Sequence, residues 1–230
     1  MADLDILNSE AHRNLRLRTL DLEAPNFVPI VISEFLAAAT CCPILLTKNP
    51  ETGRFFAGAM FGFRPGENLI SGEPGADAAF RPLDVQRQGF FVAGENIAVD
   101  PSSPRLSETE GEPLFDEDGE PTDAMKQIQR ALRLLMHGVE ETDAFIKTLV
   151  ELRIVEPIDI SLRFDDGEHL QLDGLYTVSL DSIAELDDET ALSLLRKGYL
   201  QMAYTMAGSL RQIPRLAARR NQRLSAGLKL

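Results

Sequence analysis

The chain has 230 residues and a formal charge of −13, with 44% hydrophobic and 26% charged side chains. That composition belongs to a soluble globular protein large enough to bury a proper core as one domain or two small ones. An acid excess of this size repels phosphate at long range and argues against a nucleic-acid-binding domain as a whole.

The opening, MADLDILNSEAHR, has neither a basic n-region nor an apolar h-region, so no secretory signal is expected. No apolar run approaches the ~20 residues of a bilayer span, and the expected compartment is the cytoplasm. The only cysteines are the adjacent Cys41 and Cys42, which bridge only through a strained ring; a disulfide framework is excluded and buried, inert thiols are expected.

In chain order, Leu15, Leu17 and Leu20 alternate with polar residues and predict a short edge strand. Ile30 to Thr40 reads as a helix, with Ala37 to Ala39 favouring it. Ile44 to Thr47, the turn Asn49-Pro50-Glu51-Thr52-Gly53 and Arg54 to Phe63 form a hairpin. Gly58 and Gly62 within it mark a bulge or a close backbone approach. Arg64-Pro65-Gly66-Glu67-Asn68 makes a second turn, and Gly72 to Gly75 another break. Ala76 to Gly94 predicts a short helix followed by an extended piece, and Asn96 to Asp100 a strand.

Residues 102–123 carry eight carboxylates and one cation, Arg105. Such a tract is either a mobile linker or an ordered loop. Leu106, Leu114 and Phe115, spaced through it as anchors, and a helix cap at Thr122 or Asp123 favour the ordered loop. Met125, Ile128, Leu132 and Leu135 form one apolar stripe, and Phe145, Ile146, Leu149 and Val150 a second. With Gly138 between them, two consecutive helices are expected.

Ile158, Ile160, Leu162 and Phe164 alternate with polar residues, Asp166-Gly167 turns the chain, and Leu170 and Leu172 alternate on the return. This hairpin is well specified, because a slip of one residue would reverse its faces. The helix pair before it is expected to cover its apolar face, and Tyr176 to Leu180 to add a strand. A helix starts at Leu186-Asp187-Asp188-Glu189, turns Leu192 and Leu195 to the core and ends at Gly198. The last strong helix is Tyr199 to Ile213, with Leu200, Ala203, Tyr204, Ala207 and Leu210 inward and Pro214 as its bound. The final twenty residues hold six cations and no acid, Arg211, Arg215, Arg219, Arg220, Arg223 and Lys229, leaving −19 on the remainder.

The class is therefore α+β, with antiparallel strands and hairpins, helices packed on one face and a single compact domain. Its expected parts are an N-terminal segment, 1–25, a domain, 26–216, with the acidic loop 102–123, and a basic arm, 217–230.

Standard chemistry is missing. There is no GxGxxG, GxxxxGK[ST] or GxSxG, and His12, His137 and His169 have no metal-ligand spacing. No cofactor is expected. Asp116, Asp118 and Glu120 are the metal candidates, but aligning Gly119 with the sixth position of a calcium loop puts Leu114 and Met125 where oxygen donors belong. Arg64, Glu67, Asn68 and His169 are the catalytic candidates, a turn and a strand histidine that could meet around an anionic ligand. Leu106, Leu114 and Phe115, with Arg215, Arg219 and Arg220, are the candidates for partner binding.

The segments VPIVISEF, PILLTKNPETGRF, GFRPGENL, SPRLSETEGEPLFDEDGEPT and DGLYTVSLDSIAELDDETALSLLRKGYLQMAYTMAGSL together resemble the SapC family of bacterial proteins, roughly from Asn26 to Leu216. Cys41-Cys42 departs from its pattern. The resemblance implies a surface-layer-associated family whose genes lie near those for TonB-dependent receptors, halogenase-like proteins and cupin-like oxygenases, and it carries no catalytic residues over. The expectation is a non-catalytic accessory protein with a protein or peptide partner, such as a surface-uptake or halogenase/oxygenase component; a homo-oligomer is also admitted. The alternatives are an enzyme with a site at 64–68 and His169, and a surface protein binding calcium at the acidic loop. The acidic loop and the basic arm are expected to attract one another, within one chain or between two.

Overall fold

The computed structural model describes residues 4–18, 25–70 and 80–227. Leu20, Gly72 to Gly75, the start of the Ala76 segment and Lys229 lie outside them. Strands β1 (Asp5–Ile6), β2 (Arg16–Leu17) and β3 (Phe27–Pro29) come first, then a single 3-10 turn (Ile32–Glu34) and α1 (Phe35–Ala38). Next are β4 (Ile44–Lys48), β5 (Phe55–Met60), α2 (Leu83–Gln86), β6 (Phe90–Ala93), β7 (Asn96–Val99), β8 (Leu106–Ser107) and β9 (Glu112–Pro113). Helix α3 (Asp123–Glu151) leads to β10 (Val155–Arg163) and β11 (His169–Val178), followed by α4 (Leu180–Ala184), α5 (Asp188–Arg196), α6 (Tyr199–Ser209) and α7 (Gln212–Ser225). All strand pairs are antiparallel, and the fold is α+β.

Contacts gather the described residues into two compact units, one from 4–18 and 83–137, the other from 25–70, 80–82 and 138–227. In the first, β2 lies between β8 and β9, so the expected edge strand is a central one. The acidic tract supplies both neighbours and is ordered. Its anchors Leu106 and Leu114 are buried with Phe90, Val99, Met125, Ile128 and Leu132, and Phe115 packs against them. Burial of that apolar set holds a highly charged stretch in place while its carboxylates stay in water. Arg105, the tract's one cation, turns inward and donates from Nη1 to the carbonyls of Val85 (3.2 Å) and Gln86 (2.6 Å) at the end of α2. Thr122 caps α3, its Oγ1 accepting from the Met125 N–H at 3.4 Å.

The second unit is built on the sheet β10-β11-β4-β5-β3. The β4–β5 hairpin forms as expected, and Gly58 and Gly62 are close approaches. A Cβ on Gly58 would stand 2.1 Å from the Phe27 ring, and one on Gly62 would stand 2.2 Å from the Glu67 carbonyl oxygen. The second contact is with backbone and has little room to relax. Gly62→Ala is expected to cost about 1–3 kcal/mol, read as a lower urea midpoint at unchanged m-value; an unchanged midpoint would show that the 64–68 turn can retreat.

Several helices differ from expectation. Ile30 to Thr40 yields only the 3-10 turn and α1. The two helices around Gly138 are one, α3. Gly138 is a notch rather than a break: a Cβ there would lie 2.6 Å from Val31 Cγ2. Thr142 Oγ1 accepts from the Ile32 N–H at 2.8 Å and donates to the Gly138 carbonyl at 2.5 Å, so α3 holds the 3-10 turn beside that notch.

The β10–β11 hairpin has the expected turn, but β11 continues through Tyr176 as one strand, with a bulge at Gly174 (φ 74°). Its cover includes α6 along β11 and, at the tip, Arg220 of α7 over Phe164. Asp187 caps α5, and the amide and hydroxyl of Thr190 hold its carboxyl below the usual carboxylate range. Leu194 is the buried leucine of α5, whereas Leu192 and Leu195 face outward. The expected Tyr199–Ile213 helix stops at Ser209, and Tyr204 is exposed. Pro214 then sits in the first turn of α7, where its missing N–H costs nothing, and the basic stretch is helical to Ser225.

Candidate functional site

Among the described residues of the second unit, charged side chains gather where the 64–68 turn, the β10–β11 tip and α7 meet. Glu67 N–H bonds the Arg64 carbonyl at 3.0 Å across Pro65 and Gly66. Gly66 at φ 80° supplies the left-handed position of a type II turn. The turn aims Glu67 inward, where Oε2 accepts from the Phe63 N–H at 2.6 Å. From the hairpin comes Glu168, positioned by its own N–H donating to Asp166 Oδ1 at 2.9 Å.

Arg220 on α7 joins the two carboxylates. It is 1% exposed, with Nε 2.9 Å from Glu67 Oε1 and Nη2 2.9 Å from Glu168 Oε2. Its guanidinium lies 4.0 Å from the centre of the Phe164 ring, a geometry that favours a desolvated cation. Phe63 packs against the same Phe164 ring at 5.8 Å between centroids. Arg64 closes on the second oxygen of Glu168, and Arg223 donates to the Asn68 carbonyl. Asn221 Oδ1 accepts from the Asp165 N–H at 3.2 Å. The C-terminal helix is thereby fastened to both loops.

Of the catalytic candidates, the structure brings Arg64, Glu67 and Asn68 into this cluster. His169 is exposed, and among the described residues no hydrogen bond or ion pair joins it to the others. Each of the two carboxylates faces at least one guanidinium group. Glu168 and the inward role of Arg220 were missed in the sequence. The signal existed: Ile213, Leu216 and Arg220 recur at three and four residues along one stripe of α7.

The other candidates are placed differently. Leu106 and Leu114 are core residues of the first unit rather than partner anchors, and Arg220 is buried rather than part of a free basic arm. Phe115 is partly buried, Arg215 is exposed, and Arg219 is partly buried. Among the described residues, cations that meet the acidic loop include two of the N-terminal segment and one of α3: Arg18 pairs with Glu110 at 3.2 Å, Arg13 donates to the Glu117 carbonyl at 3.2 Å, and Lys126 lies 3.8 Å from Asp123. Arg220, from the basic stretch, pairs instead with Glu67 and Glu168 of its own unit.

Asp116, Asp118 and Glu120 do not converge. Asp116 Oδ1 accepts from the N–H groups of Asp118 (3.0 Å) and Glu120 (2.9 Å), which closes the turn at Gly119. Among the described residues no group of three His, Cys, Asp or Glu side chains could hold a metal ion. Cys41 and Cys42 are buried, with their sulfurs 3.9 Å apart. The contact with Cys42, helped by the charge of Arg219, holds the Cys41 thiol below its ordinary value; the same contact and burial push Cys42 up.

Among the described residues no helix is long and apolar enough to cross a membrane. No curated protein and no solved structure matches the chain significantly. The SapC family model matches residues 7–216, including the 64–68 turn, the acidic tract and the hairpin that carries Glu168. By that match the chain belongs to the SapC family.

Proposed function

We propose that this protein is a non-catalytic accessory protein of the cytoplasm that docks a protein or peptide partner, a component of a surface-uptake or halogenase/oxygenase-associated system. The observation that carries the reading is a set of large apolar side chains in water on three helices that pack together. Leu36 of α1 is 54% exposed, Leu192 and Leu195 of α5 are 44% and 60% exposed, and Tyr204 of α6 is 52% exposed. Helix α6 packs against both α1 and α5. Exposed leucine and tyrosine on helices that pack together are what a protein partner covers. The carboxylates of the charge cluster, each already facing a guanidinium, support the same reading.

Capture from extracts of the native cell tests it. The wild-type chain is expected to retain a defined partner from such a system, and a Leu195→Asp/Tyr204→Asp variant of unchanged thermal stability to lose it. Turnover on a small-molecule panel that a single change at Glu67 or His169 abolishes would replace this reading with an enzymatic one.

A further inference from the structure

Strand β10 is nine residues long and stands at the end of the five-stranded sheet, with β11 as its ladder partner on one side. Among the described residues nothing pairs with its other side, which leaves a row of backbone donors and acceptors open. Such an edge recruits another strand unless something blocks it. Its outward face carries Pro157, Asp159, Ser161 and Arg163, all exposed. Asp159 and Arg163 have no ion-pair partner among the described residues. Two unpaired opposite charges, four residues apart on an open edge strand, are complementary to themselves when the strand is turned end for end.

We propose that β10 pairs antiparallel with β10 of a second copy of this chain, about a two-fold axis through Ser161. Residues facing one another across an antiparallel ladder share a face of the sheet, so the axis must pass through a residue. An axis on Asp159 stacks two carboxylates, and one on Leu162 sets Asp159 against Asp165, another like pair. An axis on Ile160 places Pro157, which has no N–H, inside the ladder. The axis on Ser161 sets Asp159 opposite Arg163 of the second copy, and does so twice by symmetry. It also leaves Pro157 beyond the last paired strand residues. On the other face Ile160 meets Leu162 of the second copy, so the apolar stripe of one sheet continues into the next. The charges that guard this edge against other strands also choose its own copy and register.

This interface is separate from the helix patch, and each can fail without the other. The test uses the full chain. Sedimentation analysis is expected to show a reversible dimer. Asp159→Arg or Arg163→Asp alone, with folding checked by circular dichroism, is expected to weaken it by about tenfold or more, since two opposite-charge pairs become like-charge pairs. The double exchange Asp159→Arg/Arg163→Asp is expected to restore it. Ser161→Cys places two thiols on the axis, where facing Cα atoms lie at the roughly 4.4–6.8 Å a disulfide accepts. Diamide should then give a covalent dimer that the wild-type chain, with Cys41 and Cys42 buried, does not form. A monomer at all concentrations overturns the proposal. So does a dimer that neither crosslinks at position 161 nor responds to the charge exchange, because it uses another surface, and so does a monomer whose β10 edge is taken by a foreign peptide strand.

Discussion

Arg220→Met is expected to lower the stability of the chain by about 3–5 kcal/mol, the loss typical when one member of a buried ion pair is removed. The reason lies in what remains. Glu67 is 3% exposed and would be left with only the Phe63 N–H for company, while Glu168 would retain Arg64. The cost is therefore mainly that of an orphaned carboxylate, and Arg220→Met/Glu67→Gln is expected to recover most of it, since a neutral amide still accepts from Phe63. Urea unfolding of the two single variants and the double closes the cycle. Hydrogen exchange should locate the first loss in α7, the helix that Arg220 fastens. A single-variant loss under about 1 kcal/mol would show that the cluster is a surface ion pair in its energetics, despite its burial.

Leu114→Ala should cost about 2–5 kcal/mol, whereas Glu117→Gln or Asp118→Asn should change stability by less than about 0.5 kcal/mol. All three lie in the same acidic tract. Leu114 is fully buried among Phe90, Met125 and Ile128, and its removal leaves a cavity in the first unit. Glu117 and Asp118 are exposed, and it is the backbone carbonyl of Glu117 that Arg13 engages. Thermal unfolding of the three variants decides the matter. Equal, small effects would mean that the tract is a tethered linker after all.

The elements legible in the sequence were those whose period is local. The alternation from Ile158 to Leu172 gave the β10–β11 hairpin its turn and faces, and the Asn49–Gly53 turn chemistry placed β4 and β5. Thr122 was readable as a cap, and the acids at 186–189 as a helix start, because each signal lies within a few consecutive residues. The misreadings share a different origin. Gly138 was read as a breaker on propensity, but the α3 backbone tolerates it and Val31, more than a hundred residues earlier, needs the space. Leu192 and Leu195 were read as inward on hydrophobicity, which does not say which stripe of α5 the rest of the unit covers. Pro214 was read as a stop, yet in a first helical turn it is a start.

For the candidate site the division is sharper. The sequence by itself determined that 64–68 is a tight turn, that Asp166-Gly167 closes a hairpin and that the last residues are basic, because turns and charge are properties of a few consecutive side chains. It also determined that the acidic tract has apolar anchors. Only the tertiary structure decided that Glu67 and Glu168 share one arginine, that this arginine is buried over Phe164, and that His169 stays outside. A basic helix end is normally solvated, and Arg220 escapes that fate only because two distant loops deliver carboxylates to the same point. The pairing energy that makes its burial tolerable exists only after the chain has folded.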